Sequence, residues 1–104
     1  MVSNPQHYPY VHITNKTPYA THFVNVVYEG RPCSDDYVYE AIAPGGSWTA
    51  SSRGLCLVHF VSAILALPGF PDGLECGQYK SSGTSYSQYS IIMDGEDACS
   101  VVRI

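Results

Sequence analysis

Short apolar and aromatic runs alternate along this chain with breaks made of Gly, Pro, Ser, Asn and Asp. The runs are rich in Tyr, Val, Ile and Thr, which fit a pleated and half-buried strand, and helix signals are scarce. The breaks, such as Pro44-Gly45-Gly46 and Ser81-Ser82-Gly83, predict turns. The predicted strands are Tyr10 to Thr14, Tyr19 to Tyr28, Tyr37 to Ile42, Ser47 to Ala50, Leu55 to Leu65, Cys76 to Lys80, Tyr86 to Met93 and Ala98 to Ile104.

The run from Leu55 to Leu65 is apolar on both faces, which predicts the central strand of a sheet. A buried helix from Val61 to Leu67 is the alternative, because Ala, Ile and Leu tolerate a helix and Pro68 would end it. Short strands with turns about every ten residues are typical of a sandwich or barrel. The prediction is all-β: one domain over residues 1–104, a compact two-sheet antiparallel β-sandwich with mostly up-and-down connections.

Four cysteines, Cys33, Cys56, Cys76 and Cys99, follow one another at intervals of 23, 20 and 23 residues. An even number of dispersed cysteines without C-x-x-C predicts two structural disulfides rather than a metal or redox site. Three pairings are open, and the spacing favours Cys33 with Cys56 and Cys76 with Cys99. Disulfides indicate an oxidising compartment, so we expect a secreted, extracellular protein.

The charge pattern narrows the class of partner. Five Lys and Arg against nine Asp and Glu give a formal charge of −4 without a basic cluster, so we expect neither nucleic acid nor anionic membranes as partners. Met1 to Pro5 carry no signal-peptide pattern, and the stretch from Leu55 to Leu67 is too short to span a bilayer, so no transmembrane segment is expected. Asn15-Lys16-Thr17 is an N-glycosylation sequon, and a polar turn is the other interpretation.

No catalytic set can be named from the sequence. The histidines have no metal-binding spacing and G-x-S-x-G is absent, so we predict that the chain is not an enzyme. The acidic turns at Asp35-Asp36 and at Asp94 to Asp97 do not match a calcium-binding loop. A calcium site built from separate loops stays open, and no cofactor is assigned.

Ligand recognition is the function that the composition favours. The chain has nine tyrosines, which exceed what one small core needs to bury. Aromatic rings stack on the flat faces of sugars, while carboxylates accept hydrogen bonds from their hydroxyl groups. Asn25 is a candidate second-sphere donor. The candidate carbohydrate-binding residues are the acidic Asp35 and Asp36 and the aromatic Tyr37, Trp48, Tyr86 and Tyr89.

In its length and in stretches such as Tyr19 to Tyr28 and Ser81 to Ile92, the whole chain resembles the small secreted hemagglutinins of plasmodial slime moulds. The resemblance implies a β-sandwich related to the legume-lectin fold that binds cell-surface glycans or glycoproteins without catalysis. Lectins of that type present an Asp, an aromatic residue and Ca²⁺-braced loops to the sugar. This chain reproduces no such calcium loop, so dependence on the metal stays open. Asp35, Asp36 or Asp94 is proposed as the acidic residue.

Two functions follow as hypotheses. The first is a lectin, which would need self-association, a homo-oligomer for example, or two sites per chain in order to agglutinate cells. The second is a secreted inhibitor or toxin-like module whose loop from Pro68 to Gly73 binds another protein, since two prolines limit the entropy that Phe70 loses on docking. Competition by free sugars separates the two hypotheses.

Overall fold

The computed structural model describes residues 8–29, 33–51 and 53–104, and every regular element among them is a β-strand. The part of the chain that is described therefore contains no helix that could span a membrane. The strands are β1 His12–Asn15, β2 Thr21–Glu29, β3 Asp36–Val38, β4 Ser47–Thr49, β5 Leu57–Leu65, β6 Leu74–Glu75, β7 Tyr79–Thr84, β8 Gln88–Gly95 and β9 Ala98–Arg103.

These strands form two sheets, which confirms the predicted two-sheet, all-β fold. The four-stranded sheet has the order β4-β1-β8-β9. The five-stranded sheet has the order β3-β2-β5-β6, and β7 also pairs with β5. Direct connections join β2 to β3, β5 to β6 and β8 to β9, whereas the chain changes sheet after β1, β3, β4 and β7. One pair, β1 with β8, is parallel, which strands this distant in sequence can adopt because no hairpin joins them.

Alternation along the strands decides which side chains enter the core. In β2, Val24, Val26 and Tyr28 are buried between the sheets, while Phe23 and Asn25 point outward. Burial of each fully enclosed aliphatic side chain contributes about 1.5–3 kcal/mol. The remaining core comes from both sheets and includes Val11, Ile13, Val58, Val61, Ala63, Leu65, Tyr89, Ile91 and Val101.

The central strand β5 is a strand to Leu65, so the alternative of a helix from Val61 is wrong. Its backbone pairs with β2 on one side, up to Thr21, and with β6 on the other, which leaves no backbone groups for helical bonds. The prediction of β5 as the central strand is confirmed.

The segment after β5 differs most from the prediction. The predicted strand Cys76 to Lys80 spans the gap between β6 and β7, and Ser81-Ser82-Gly83 lies inside β7 rather than in a turn. Between the pairs Val58–Thr84 and Phe60–Lys80, these three residues lie opposite His59 alone. The turn-forming residues are therefore accommodated in a bulge, where Gly83 has a φ of 130°.

The disulfides are Cys33–Cys56 and Cys76–Cys99, which confirms the predicted pairing and fits an oxidising, extracellular environment. Beside the second disulfide, the Gly77 N–H donates to the Cys99 carbonyl and the Val101 N–H donates to the Gly77 carbonyl, each at 2.8 Å. This bridge, together with the disulfide, joins the two sheets along one edge of the sandwich.

The sequon Asn15-Lys16-Thr17 forms an internal turn. Asn15 is fully buried, and its Nδ2 donates to the carbonyls of Tyr19 at 2.7 Å and Ile42 at 3.0 Å. Its Oδ1 accepts the Thr17 N–H at 3.0 Å and the Thr17 hydroxyl at 2.7 Å. Since Nδ2 is the atom that would carry a glycan, this packing favours the polar-turn interpretation.

Candidate functional site

The outer face of the five-stranded sheet carries three neighbouring aromatic rings. Tyr37 and Tyr39 are 59% and 72% exposed, and Phe23 lies beside them. Ring centroids are 4.9 Å apart for Phe23–Tyr39, 5.6 Å for Tyr37–Tyr39 and 6.4 Å for Phe23–Tyr37. These three residues, called here the aromatic cluster, therefore form one continuous aromatic surface open to solvent.

A row of polar side chains crosses the same face beside the aromatic cluster. Asn25 pairs with Tyr37 of β3 and with Ser62 of β5, and directly paired residues share a face. The Ser62 hydroxyl lies 3.5 Å from Asn25 Oδ1 and 3.3 Å from Gln78 Oε1. Within the described residues, neither amide NH₂ group has a hydrogen-bond partner. Asn25, Ser62 and Gln78 are called the polar row, and its two amide NH₂ groups are free to donate to a ligand.

Two adjoining cavities open on this face, and Phe23 and Ile64 line both of them. The first has a volume of about 560 Å³, and the second has a volume of about 380 Å³. The first is also lined by His22, Tyr39, Pro71 and Asp72. The second is also lined by Ser62, Ala63, Glu75, Cys76 and Gln78.

The wall of the first cavity depends on the turn before β6. Gly73 has a φ of 86°, and a Cβ there would lie 2.4 Å from Ile64 Cγ2 and 2.7 Å from the His22 ring. The Gly73 N–H donates to the Phe70 carbonyl at 2.9 Å, which holds the turn closed. Glycine is needed here for its backbone conformation and for the close approach to β5, and Pro71 and Asp72 are thereby placed over Ile64.

Of the six predicted carbohydrate-binding residues, only Tyr37 belongs to this surface. Asp35 is exposed just before β3. Asp36 and Tyr89 are buried, at 8% and 0% exposure, so the structure places both inside the sandwich, away from a ligand in solvent. The predicted second-sphere donor Asn25 lies in the polar row.

Trp48 and Tyr86 lie elsewhere. Trp48 pairs with the buried Ile13 and lines a separate cavity of about 180 Å³ with the segment from Glu40 to Ala43. The Arg103 guanidinium lies over the Tyr86 ring, with its Cζ 3.8 Å from the ring centroid. The Tyr86 hydroxyl donates to the carbonyl of Ile104. The structure does not bring these two aromatic residues to the surface that carries Tyr37.

Four residues of this surface were not predicted from the sequence: Phe23, Tyr39, Ser62 and Gln78. Tyr37 and Tyr39 are two residues apart in a predicted strand, and that spacing alone puts both rings on one face. Ser62 lies in the run that was interpreted as apolar on both faces, although a lone polar residue in a central strand marks its outward face. Gln78 carried no comparable signal, since it lies between two strands.

A polar group behind this face is buried in the sandwich. The Tyr28 hydroxyl donates to Asp36 Oδ2 at 3.0 Å, and the Arg53 guanidinium lies over the Tyr28 ring. Burial, and then the negative charge of Asp36, raise the pKa of Tyr28, and burial likewise raises the pKa of Tyr89. Burial lowers the pKa of Arg53, whose side chain is 4% exposed. These groups hold the inner side of β2 and β3 in place and are not available to a ligand.

No cluster of three or more His, Cys, Asp or Glu side chains suited to a metal ion occurs in the described ranges. No model of a protein family, curated protein or solved structure matches the chain. The outer face of the five-stranded sheet is therefore the candidate site on its geometry alone.

Proposed function

We propose that this protein is a secreted lectin that binds cell-surface glycans, without catalysis, on the outer face of its five-stranded sheet. The observation that carries the proposal is the aromatic cluster lying directly beside the polar row. A sugar ring has an apolar face that stacks on an aromatic ring and an edge of hydroxyl groups that needs donors and acceptors. Tyr37 and Tyr39 supply the first, and Asn25 and Gln78 supply the second.

Two further observations support the proposal. Both disulfides suit an extracellular protein, where glycans are displayed. Most residues that line the cavities lie in or beside paired strands, whose backbone is already ordered, so little backbone ordering opposes binding. Because exposed hydroxyl groups exchange water for protein, binding at one face is weak, and useful avidity on cells would come from self-association.

The test is an array of glycans probed with the oxidised protein and with Tyr39→Ala. We expect saturable binding by the unchanged protein and about fivefold weaker binding by the variant, because an aromatic contact contributes about 1 kcal/mol. Tyr10→Ala is the matched control, since Tyr10 is 55% exposed but lies outside both cavities, and it should bind as the unchanged protein does.

Two outcomes would count against the proposal. The first is that the folded protein binds no glycan on the array, which would favour the second hypothesis, a protein-binding module that uses the aromatic cluster. The second is equal loss in Tyr39→Ala and Tyr10→Ala, which would assign the binding to a different surface. Running the array with calcium and again with a chelator would show whether binding needs the metal.

A further inference from the structure

The two cavities form a single continuous surface rather than two separate sites. Phe23 and Ile64 are directly paired across β2 and β5, and both side chains line both cavities. A ligand as small as one sugar ring occupies one side of this pair. A ligand that contacts Tyr39 on one side and Gln78 on the other must extend over Phe23 and Ile64, across the strands.

Each cavity also contains one exposed carboxylate. Asp72 lines the first cavity and Glu75 the second, and both side chains are exposed. Glu75 is directly paired with Ile64, at the border of the two cavities. In the described residues, neither carboxylate forms an ion pair, so both negative charges act on whatever occupies the surface.

Positive charge is sparse around these cavities. Among the Lys and Arg residues that the structure describes, only Lys80 lies on this face, beside Phe60, and it lines neither cavity. Lys16 follows β1, Arg53 is buried and Arg103 lies in β9 of the other sheet. A ligand with a carboxylate or sulfate group would therefore approach two like charges, and none of the described Lys or Arg side chains lines either cavity.

From the paired cavities and their carboxylates we infer that this face takes an uncharged oligosaccharide of at least two sugar rings and binds sialylated or sulfated glycans less tightly. The inference rests on the proposed function and adds the ligand class. The apolar surface at Phe23 and Ile64 packs on the linkage between the two sugar rings. Asp72 and Glu75 accept hydrogen bonds from hydroxyl groups, which a neutral sugar supplies and a carboxylate or sulfate group does not.

The test of charge compares one neutral oligosaccharide with the same glycan after enzymatic sialylation. The neutral form should bind about fivefold more tightly in dilute buffer, and salt should narrow the difference because it screens exposed charges. The variant with both Asp72→Asn and Glu75→Gln should narrow it as well. Glu96→Gln is the matched control, since Glu96 is an exposed carboxylate in the β8–β9 turn, and it should leave the ratio unchanged.

The test of length uses Tyr39→Ala and Gln78→Ala, which remove one side chain from each cavity. Both variants should weaken binding of the neutral oligosaccharide by about fivefold. Loss in only one variant would overturn the two-ring site, and equal or tighter binding of the sialylated form would overturn the charge selectivity, although the lectin proposal would survive either result. Failure of every glycan to bind would remove the proposed function and this inference together.

Discussion

Two buried phenols, Tyr28 and Tyr89, make the stability of this protein sensitive to alkaline pH. The pKa of each is raised by burial, so the unfolded chain loses these protons at lower pH than the folded protein does. Stability from these groups is therefore fully present below about pH 10, the ordinary value for tyrosine, and falls as pH rises above it. The expected slope is about 1.4 kcal/mol per pH unit for each tyrosine.

Tyr28→Phe tests this dependence. Removing the hydroxyl should lower the free energy of unfolding by about 1–2 kcal/mol at neutral pH, because Asp36 loses a buried donor. It should also reduce the slope of the free energy of unfolding against pH above pH 10, by about 1.4 kcal/mol per pH unit, the contribution of one tyrosine. Urea unfolding at neutral and alkaline pH measures both effects, and Tyr10→Phe, at an exposed position, is the control. An unchanged alkaline slope in Tyr28→Phe would contradict the assignment.

Asn15 gives a second prediction at the level of single residues. Folded protein passed through a glycosylating secretory pathway should carry no glycan on Asn15, because Nδ2 is buried against the Tyr19 and Ile42 carbonyls. Asn15→Ala should cost about 2–3 kcal/mol, because it removes the amide hydrogen bonds to the Tyr19 and Ile42 carbonyls and leaves the buried Thr17 N–H without its acceptor. Lys16→Ala in the same turn should be nearly neutral. Intact mass and urea unfolding measure the two effects. A glycan on fully folded protein would be incompatible with this packing.

Among the elements, the turn from Pro68 to Gly73 shows how backbone conformation shapes the candidate site. Gly69 and Gly73 have similar φ values, 88° and 86°, but a Cβ would meet nothing within 4 Å at Gly69 and would overlap Ile64 and His22 at Gly73. The two positions therefore separate backbone strain from steric overlap in one loop.

Gly69→Ala should destabilise the protein by about 1 kcal/mol, the cost of the left-handed conformation alone. Gly73→Ala should cost clearly more, about 3 kcal/mol, and should weaken glycan binding, because the overlap displaces the wall of the first cavity. Urea unfolding and binding to the neutral oligosaccharide measure both effects. Equal costs at the two positions would mean that the loop moves freely away from β5.

The strands were predictable from the sequence where alternation is strong, and less so where a bulge intervenes. β2 was placed within two residues because Val24, Val26 and Tyr28 repeat with a period of two. The composition of Ser81-Ser82-Gly83 is that of a turn, and only pairing with the distant Val58 and Phe60 keeps it in a strand. Local propensity carries no information about such long-range pairing.

The candidate site was less predictable than the fold for a related reason. Tyr37 and Tyr89 look alike in sequence as aromatic residues of predicted strands, yet Tyr37 faces solvent and Tyr89 faces the core. Asp36, which the sequence places in an acidic turn, begins β3 and also faces the core. Which face a strand residue occupies depends on the register between strands, and one residue of shift reverses it. The aromatic cluster also joins two strands, β2 and the end of β3, whose contact a linear pattern does not reveal.

Across the whole molecule, the two disulfides close loops of the same length but differ in how deeply they are buried. Each joins cysteines 23 residues apart, so loop closure predicts the same stabilisation for both, about 3 kcal/mol. They differ in surroundings: Cys76 and Cys99 are buried in the core cluster, whereas Cys33 and Cys56 are partly exposed.

Replacing Cys76 and Cys99 together by Ser should therefore destabilise the protein more than replacing Cys33 and Cys56 by Ser. The first change places two hydroxyl groups in the core and loosens the bridge at Gly77 that joins the sheets. Thermal or urea unfolding of the two double variants measures the difference. The prediction fails if the Cys33 and Cys56 variant is equally or more destabilised.

The parallel pairing of β1 with β8 has a consequence for how the molecule can be attached to a surface. His12, the first residue of β1, pairs with Gln88, and Arg103, the last residue of β9, pairs with the adjacent Tyr89. The start of β1 and the end of β9 therefore lie at the same end of the four-stranded sheet, its pole beside the start of β8. A tether joined at either of these strand ends would leave from that pole, on the sheet opposite the aromatic cluster, so attachment there would leave Tyr37 and Tyr39 uncovered.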